Sequence, residues 1–125
     1  QNELSGQIPS SFWDIPTLEN VWLGSNANIT GSLPPAVGGL SNLKVLWIDG
    51  TQLSGSLPTE LGQLTALEQL KLHNNKFTGA IPASLANLSN LQELYLYGNE
   101  LDGELIGGLA TLPNLQKVLV SNNNF

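Results

Sequence analysis

Aromatic and ionisable side chains recur in this chain at a spacing that would stack them on one surface. Trp22, Trp47, Lys71 and Tyr95 follow one another at intervals of 25, 24 and 24 residues. A chain that turns once per interval places them side by side, where flat rings can bury a peptide side chain or stack on a sugar. These residue types at this spacing favour non-covalent binding.

Polar side chains accompany the aromatic residues at the neighbouring positions. Asp49, His73 and Tyr97 follow at the next outward position of successive intervals, and Gln69 and Glu93 fall on the other flank. Such groups can orient a ligand through hydrogen bonds while the rings bury it. The predicted ligand-binding residues are Trp22, Trp47, Asp49, Gln69, Lys71, His73, Glu93, Tyr95 and Tyr97.

The same surface has a second interpretation, in which the side chains only stabilise the fold. Adjacent strands gain stability from paired aromatic residues, and Lys71 would sit between Trp47 and Tyr95 in cation–π contact. The sequence favours ligand binding over this role and leaves both open.

The ionisable residues do not assemble a catalytic site. His73 is the one histidine, and Asp49, one interval away, is expected to lie close enough to orient its imidazole. A nucleophile must also reach that imidazole, but Ser121 is two intervals away with Tyr97 between, and the chain has no cysteine. No histidine, cysteine or carboxylate cluster has metal-site spacing. We expect no enzyme activity, no metal and no cofactor.

The overall charge excludes two classes of partner. Ten acidic residues against four basic residues give a net charge of −6. Nucleic acids and anionic membrane surfaces both require clustered lysine and arginine, so neither is an expected partner. No long apolar stretch interrupts the sequence, which predicts no transmembrane helix and no signal peptide.

The elements that position these residues follow from a repeat. Inward leucines open it at Leu18, Leu43, Leu67, Leu91 and Leu115. A fixed period of this length predicts a solenoid with one coil per repeat. In the most complete copy, residues 67–90, Leu70 and Leu72 point inward while Lys71 and His73 point outward, as in a half-buried strand. Each coil should therefore add one short parallel strand, backed by a helical or irregular turn.

Three further residue types recur once in most coils. An inward amide that satisfies backbone groups is predicted for Asn26, Asn75, Asn99 and Asn123. A position that excludes a side chain is predicted for Gly6, Gly31, Gly55, Gly79 and Gly103. The turn that follows is predicted to be fixed by Pro9, Pro34, Pro58 and Pro82.

The template L-x-x-L-x-L-x-x-N-x-L-x-G-x-I-P, which covers nearly the whole chain, resembles the plant-type leucine-rich repeat. That subfamily occurs in receptor-like kinase ectodomains, receptor-like proteins and polygalacturonase-inhibiting proteins. The resemblance implies an α/β solenoid, a right-handed superhelix with a parallel strand sheet on its concave face and short helical or irregular turns on its convex face. It also implies an extracellular or cell-surface location, but it does not identify a ligand.

The chain departs from the template at three places. Thr51 stands where asparagine is expected, Ile106 replaces the proline, and residues 25–28 include one extra residue. We interpret each as a local adjustment of a loop. The insertion leaves open whether Asn26 or Asn28 takes the inward role.

We interpret residues 1–125 as a single domain of about five coils. Members of the resembled family usually close both ends with cysteine-bearing caps, which this sequence lacks. The chain is therefore expected to be a piece of a longer protein, or else to stack its uncapped ends on other subunits. Trp13, on the back of the first partial coil, would cover a missing neighbour or touch a partner.

Two triplets match the acceptor pattern for N-glycosylation, at Asn28-Ile29-Thr30 and Asn87-Leu88-Ser89. Both are expected on loops outside the strand face, where a glycan would not block the sheet. Modification of Asn28 and Asn87 is predicted together with the extracellular location that the resemblance implies.

The sequence predicts a non-catalytic recognition module that binds a protein, a peptide or a cell-wall saccharide on its concave face, as in an extracellular receptor or inhibitor. One alternative is a structural or assembly subunit that acts through its ends or back. A minor alternative is ice binding through a polar column that contains Ser5, Thr30, Ser54, Thr78 and Asp102.

Overall fold

Two parallel sheets run along the stack of coils in the computed structural model, which describes residues 3–125. The first sheet contains, in spatial order, β2 (Asn20–Trp22), β4 (Val45–Trp47), β6 (Gln69–Lys71), β8 (Glu93–Tyr95) and β10 (Lys117–Leu119). The second sheet contains, in spatial order, β1 (Ser5–Gln7), β3 (Asn28–Ser32), β5 (Gln52–Ser56), β7 (Lys76–Gly79) and β9 (Glu100–Leu101).

A short 3₁₀ helix completes each coil behind the sheets. These helices span Ser10–Asp14, Pro35–Gly39, Thr59–Gln63, Ala83–Asn87 and Gly107–Thr111. The predicted leucine-rich repeat solenoid is therefore confirmed. The second sheet lies beside the recurring glycines, where the leucine pattern alone predicts no strand.

The core is a set of leucine rows that run from coil to coil. At the centre of the first-sheet strands, Val21, Leu46, Leu70 and Leu94 are buried and paired in direct register. The second sheet contributes inward side chains that include Ile29, Leu53, Phe77 and Leu101. Each coil thus buries its apolar face only against its neighbours, which is why one coil could not fold alone.

The inward asparagines form the predicted ladder. Asn75 Nδ2 donates hydrogen bonds to the backbone carbonyls of Ile48 (2.7 Å) in the preceding coil and Leu72 (3.1 Å) in its own. Asn99 repeats the pattern one coil later, and its Oδ1 accepts a bond from the Phe77 backbone N–H at 3.1 Å. The amides join consecutive coils by satisfying turn groups that would otherwise be buried without partners.

At one position of this ladder, the hydroxyl of Thr51 takes the place of the asparagine amide. The hydroxyl donates a hydrogen bond to Asn75 Oδ1, and it accepts one from the Leu53 backbone N–H at 3.3 Å. Thr51 is buried, so the substitution changes the chemistry of the ladder without opening it.

The insertion in the first full coil leaves the inward role with Asn26. Asn26 is buried and donates to the carbonyls of Leu23 and Gly24, whereas Asn28 is exposed. The residue before the inward position adopts a left-handed backbone in every coil, with φ of 59° at Ser25 and 55° at Asn74. A left-handed residue reverses the chain tightly enough to bring the next side chain inward.

The recurring proline begins each 3₁₀ helix at its N-cap, as at Pro34 and Pro58. Ile106 takes this place in the last coil with φ −70°, close to the angle that proline fixes, so the departure preserves the turn. Trp13 is 3% exposed and contacts Phe12 edge to face at 5.1 Å. It is therefore part of the core, which answers the question that its position left open.

In the second sheet, the polar residues expected to form one column are not direct neighbours across the strands. Thr30 pairs with Gln52 rather than Ser54, and Ser54 pairs with Lys76 rather than Thr78. Residues at equivalent positions of successive coils are thus offset along the strands. The predicted hydroxyl row is wrong as a set of direct neighbours, because the register of this sheet differs from the repeat spacing.

Candidate ligand-binding site

The exposed surface of the first sheet, which we call the strand face, carries all nine predicted ligand-binding residues. Trp22, Trp47, Lys71 and Tyr95 are direct register partners across β2, β4, β6 and β8. Side chains in such pairs lie close enough to interact across the strands. The row predicted from the repeat spacing is therefore present in the fold.

Lys71 is enclosed at the centre of this row. Its ammonium lies 4.6 Å from the centre of the Trp47 ring, 4.8 Å from that of Tyr95, and 2.8 Å from Glu93 Oε2. The residue is only 8% exposed. Glu93 in turn has a lowered pKa, chiefly because Lys71 donates a hydrogen bond to its carboxylate. Both aromatic neighbours and Glu93 thus stabilise the Lys71 ammonium, which is largely shielded from solvent.

His73 is equally enclosed on the neighbouring column. Its ring stacks on Tyr97 at 4.5 Å and meets Tyr95 edge to face at 5.9 Å. Nε2 lies 3.6 Å from Asp49 Oδ2, the pairing expected from sequence, whereas the buried Nδ1 has no hydrogen-bond partner. Burial lowers the pKa of His73 and outweighs the opposing effect of Asp49. The imidazole is therefore neutral near pH 7.

The other half of the strand face is open. Trp22 is 65% exposed and Trp47 is 37% exposed. Together with Gly24, Ser25 and Asp49 they line a shallow depression of about 400 Å³. Two aromatic walls beside a carboxylate give the depression both apolar and polar surface, with which a ligand side chain could make stacking and hydrogen-bonding contacts.

Gly24 shapes the floor of this depression by leaving room for the Asp49 side chain. A Cβ added at Gly24 would lie 2.0 Å from Asp49 Oδ1 and 3.0 Å from its Cγ. The missing side chain of one coil thus places the carboxylate of the next beside the tryptophans. The sequence-based selection of site residues omitted Gly24 and Ser25. The signal available was a glycine at an outward position whose equivalents in other coils are Asp49, His73 and Tyr97.

The nine residues therefore divide into three groups. Lys71 is buried and already paired with Glu93, and His73 is buried against Tyr97, so neither residue is open to direct contact with a ligand. Trp22, Trp47 and Asp49 line the open depression, and the remaining four, half-buried residues are Gln69, Glu93, Tyr95 and Tyr97. Ligand binding by any of them remains a prediction.

Charged residues at the edge of the strand face compensate one another. Lys44 and Glu19 form an ion pair at 3.3 Å with both side chains about half exposed, which makes a small, salt-screened contribution. Glu93 pairs with Lys71 rather than with Lys117, whose ammonium lies 5.2 Å from the Tyr95 ring centre.

The two predicted glycosylation sites lie away from the strand face. Asn28 is the first residue of β3 in the second sheet, and Asn87 is the last residue of a 3₁₀ helix. The loop locations expected from sequence are therefore wrong, but both residues are exposed. Their modification remains a prediction.

Within residues 3–125, no three histidine, cysteine or carboxylate side chains are grouped so that they could hold a metal ion. No helix in the same range is long and apolar enough to cross a membrane.

Comparisons with known proteins agree with this geometry. The family model described as Leucine rich repeat matches residues 41–101. A polygalacturonase inhibitor of Vitis vinifera is 41% identical over 49 residues, which are 39% of this chain and 15% of the inhibitor.

Solved structures match over almost the full length of the chain. The plant peptide hormone receptor RGFR1, solved in complex with RGF2, is 35% identical with a TM-score of 0.96, over 99% of this chain and 20% of the receptor chain. A plant ice-binding protein is 38% identical with a TM-score of 0.91, over 96% of this chain and 39% of its own.

The chain thus spans about one fifth of the receptor structure and less of the inhibitor. Its repeat template, its paired parallel sheets and its asparagine ladder agree with these matches. The chain contains leucine-rich repeats, which the family model matches over residues 41–101, and its coils are similar to those of plant receptor ectodomains and polygalacturonase inhibitors.

Proposed function

We propose that this chain is a non-catalytic recognition segment that binds a peptide or protein on the strand face, in an extracellular receptor or inhibitor. The observation that carries the proposal is the exposure of Trp22 and Trp47 beside Asp49 in one depression. Large aromatic side chains left in water on a rigid sheet are costly unless a partner covers them, and such residues supply most of the binding energy in many interfaces.

Rigidity of the surroundings supports this function. The enclosed half of the strand face, with Lys71 held by Glu93 and two rings, fixes the row from which Trp47 projects. Little conformational entropy is then lost when a ligand binds, which favours affinity. The receptor RGFR1 was solved as a complex with RGF2, and part of it resembles almost the full length of this chain. The binding surface proposed here is the exposed face of the same kind of solenoid.

The absence of catalysis belongs to the same proposal. His73 and Asp49 are close, but Nδ1 of His73 is buried without a partner and its ring is covered by Tyr97. A nucleophile would need hydrogen-bond access to the imidazole. The pair is better suited to holding Asp49 in place than to moving protons.

The proposal can be tested by selecting ligands from a random peptide display library on the wild-type chain. Enriched peptides should lose affinity by at least about tenfold for the double variant Trp47→Ala with Tyr95→Ala, because two central aromatic residues are removed. The matched control is Leu105→Ala, which removes an exposed apolar side chain that lies outside the first sheet. Failure to enrich any peptide, or equal binding by all three chains, would contradict the proposed function.

Folding must be checked in parallel, since Trp47 and Tyr95 also contact Lys71. Circular dichroism and a cooperative urea transition should show that the double variant keeps the solenoid. If it unfolds, Trp22→Ala serves instead, because Trp22 is mostly exposed and its loss removes little packing.

The assembly alternative makes a different prediction about oligomeric state. An assembly subunit should self-associate or form complexes of fixed stoichiometry, and Trp22→Ala should leave that association unchanged. Sedimentation of the wild-type chain distinguishes the two functions. A monomer with ligand affinity supports recognition.

Ice binding is suggested by the similarity to a plant ice-binding protein, but the second sheet does not favour it. The register rows of that sheet mix hydroxyls with charged residues, as in Ser54 beside Lys76 and Thr78 beside Glu100. A regular hydroxyl lattice is therefore interrupted.

A further inference from the structure

We propose that the depression between Trp22, Trp47 and Asp49 is a cation-binding subsite that receives an arginine side chain of the ligand. The inference rests on the proposed recognition function and names the chemistry of one of its contacts. A guanidinium fits because it can stack on an indole ring and bind a carboxylate at the same time.

The first feature of the depression is its free aromatic surface. Lys71 already lies over the Trp47 ring, at 4.6 Å from its centre. Among residues 3–125, no lysine lies over the Trp22 ring. Trp22 is also the most exposed aromatic side chain of the strand face, at 65%. The exposed Trp22 ring can therefore receive a cation, as the neighbouring Trp47 ring already receives Lys71.

The second feature of the depression is the charge of Asp49. Its one ion-pair contact among the described residues is with His73, at 3.6 Å, beyond hydrogen-bond distance. Burial keeps that imidazole neutral, so it does not neutralise the carboxylate near pH 7. Asp49 thus presents a negative charge to the depression without a matching positive charge.

The third feature is the pairing of the charges near the depression. Lys71 is neutralised by Glu93 at 2.8 Å, and Lys44 is neutralised by Glu19 at 3.3 Å. Asp49 is therefore the unbalanced charge at this end of the strand face, and the net charge of −6 favours the approach of a cation. Charge complementarity selects a basic side chain over an acidic or neutral one.

Arginine is favoured over lysine by the shape of the site. The carboxylate and both indole rings line one depression, where a planar guanidinium can stack on a ring and donate paired hydrogen bonds to the carboxylate, and guanidinium is less strongly hydrated than ammonium. Gly24 contributes by leaving the space that Asp49 occupies, since a Cβ there would lie 2.0 Å from Oδ1.

The test uses two small probes that differ only in charge, N-acetyl-arginine amide and its neutral isostere N-acetyl-citrulline amide. Binding is followed through the indole N–H resonances of the ¹⁵N-labelled chain. Trp22 and Trp47 should shift with the arginine probe, whereas Trp13, 3% exposed in the core, should not move and serves as an internal control. The citrulline probe should bind roughly tenfold more weakly.

Asp49→Asn should lower the affinity for the arginine probe by roughly tenfold and leave the citrulline probe unaffected, since the variant removes the charge and keeps the shape. The matched control is Asp102→Asn, which removes an exposed carboxylate after β9 in the second sheet and should change neither affinity.

Equal binding of the two probes, no shift of either indole, or an arginine affinity unchanged in Asp49→Asn would each overturn the subsite. These results leave the proposed function intact if library peptides still bind and depend on Trp47 and Tyr95. Failure of the library selection together with a positive arginine result would instead contradict the function and keep the subsite. The two proposals are thus separable.

Discussion

At the scale of single residues, Gly24 and Asp49 share one small volume. The Asp49 carboxylate lies where a side chain at position 24 would be, so the glycine is required for the position of the acid rather than for a left-handed turn. His73 limits the carboxylate from the other side at 3.6 Å. The position of the charge in the depression therefore depends on both neighbouring coils.

Gly24→Ala should displace the Asp49 side chain. The carboxylate can rotate away because it is the end of a side chain, so we expect the free energy of unfolding to fall by no more than about 1 kcal/mol. Affinity for the arginine probe should fall as far as in Asp49→Asn. Urea unfolding and the indole titration measure the two effects, and an unchanged affinity would show that Asp49 does not act from this position.

His73 should make stability depend on pH. Its folded pKa is lowered from the ordinary 6.5, chiefly by burial, with Lys71 acting in the same direction and Asp49 against it. The unfolded chain therefore binds a proton first as the pH falls, and stability present above pH 6.5 is lost as the pH falls through the folded pKa. Glu93 contributes a separate loss below its ordinary 4.5.

Urea unfolding between about pH 7.5 and about pH 5 isolates the histidine effect. The wild-type chain should lose stability over this interval, whereas His73→Gln should lose markedly less. A wild-type curve that is flat, or that matches the variant, would contradict the assigned burial of the imidazole.

At the scale of elements, the first sheet combines a closed half and an open half. From β6 to β8 the outward side chains bind one another, with Lys71 between Trp47, Tyr95 and Glu93. At β2, Trp22 stays largely exposed, because the glycine beside it leaves space that only the Asp49 carboxylate fills. The stabilising and ligand-binding interpretations of the row therefore apply to different strands of the same sheet.

The coupling free energy between Lys71 and Glu93 should be large for a pair on the outer face of a sheet. Lys71→Met leaves the stem in place and removes the charge, and we expect a loss of about 1–3 kcal/mol since the ammonium is enclosed by rings and carboxylate. The single variants Lys71→Met and Glu93→Gln and their combination form a double-mutant cycle in urea unfolding. A coupling energy near zero would mean that the pair is screened like Lys44–Glu19, the exposed pair that serves as a control.

The asparagine ladder should contribute more to stability than exposed amides do. Asn75→Ala removes bonds to Ile48, Leu72 and His73 and leaves the Thr51 hydroxyl without its acceptor, for an expected loss of about 2–4 kcal/mol. Asn90→Ala, which removes one exposed bond to Thr65, is the matched control and should cost less than about 1 kcal/mol. Thermal and urea unfolding measure both, and similar losses would contradict the ladder's role in joining coils.

The sequence predicted the repeating parts of the elements and missed what depends on register between coils. Leu70 and Asn75 were placed correctly because their spacing reports directly on the inward face. The stagger of Thr30 against Gln52 was not predictable, since repeat spacing does not determine how strands of the second sheet pair. For the same reason Lys71 was identified on the strand face, but its near-complete burial depends on how two neighbouring rings close over it.

At the scale of the whole molecule, the aromatic residues and the two predicted glycosylation sites lie on different surfaces of the solenoid. The strand face carries the aromatic residues, whereas Asn28 and Asn87 lie on the second sheet and on a 3₁₀ helix. Because coils contact only their neighbours, the depression depends on β2, β4 and β6 and is independent of β10. A ligand that extends along the strand face would meet the open half at one end and the enclosed rings at the other.

The most direct test of the central claim is the dissociation constant of a library-selected peptide for Trp22→Ala compared with Leu105→Ala. Both variants remove a mostly exposed apolar side chain, so differences in folding should be small. We predict an affinity loss of roughly tenfold or more for Trp22→Ala and no change for Leu105→Ala, because binding is carried by the open half of the strand face. Equal affinities for the two variants would contradict the account and place the ligand on another surface.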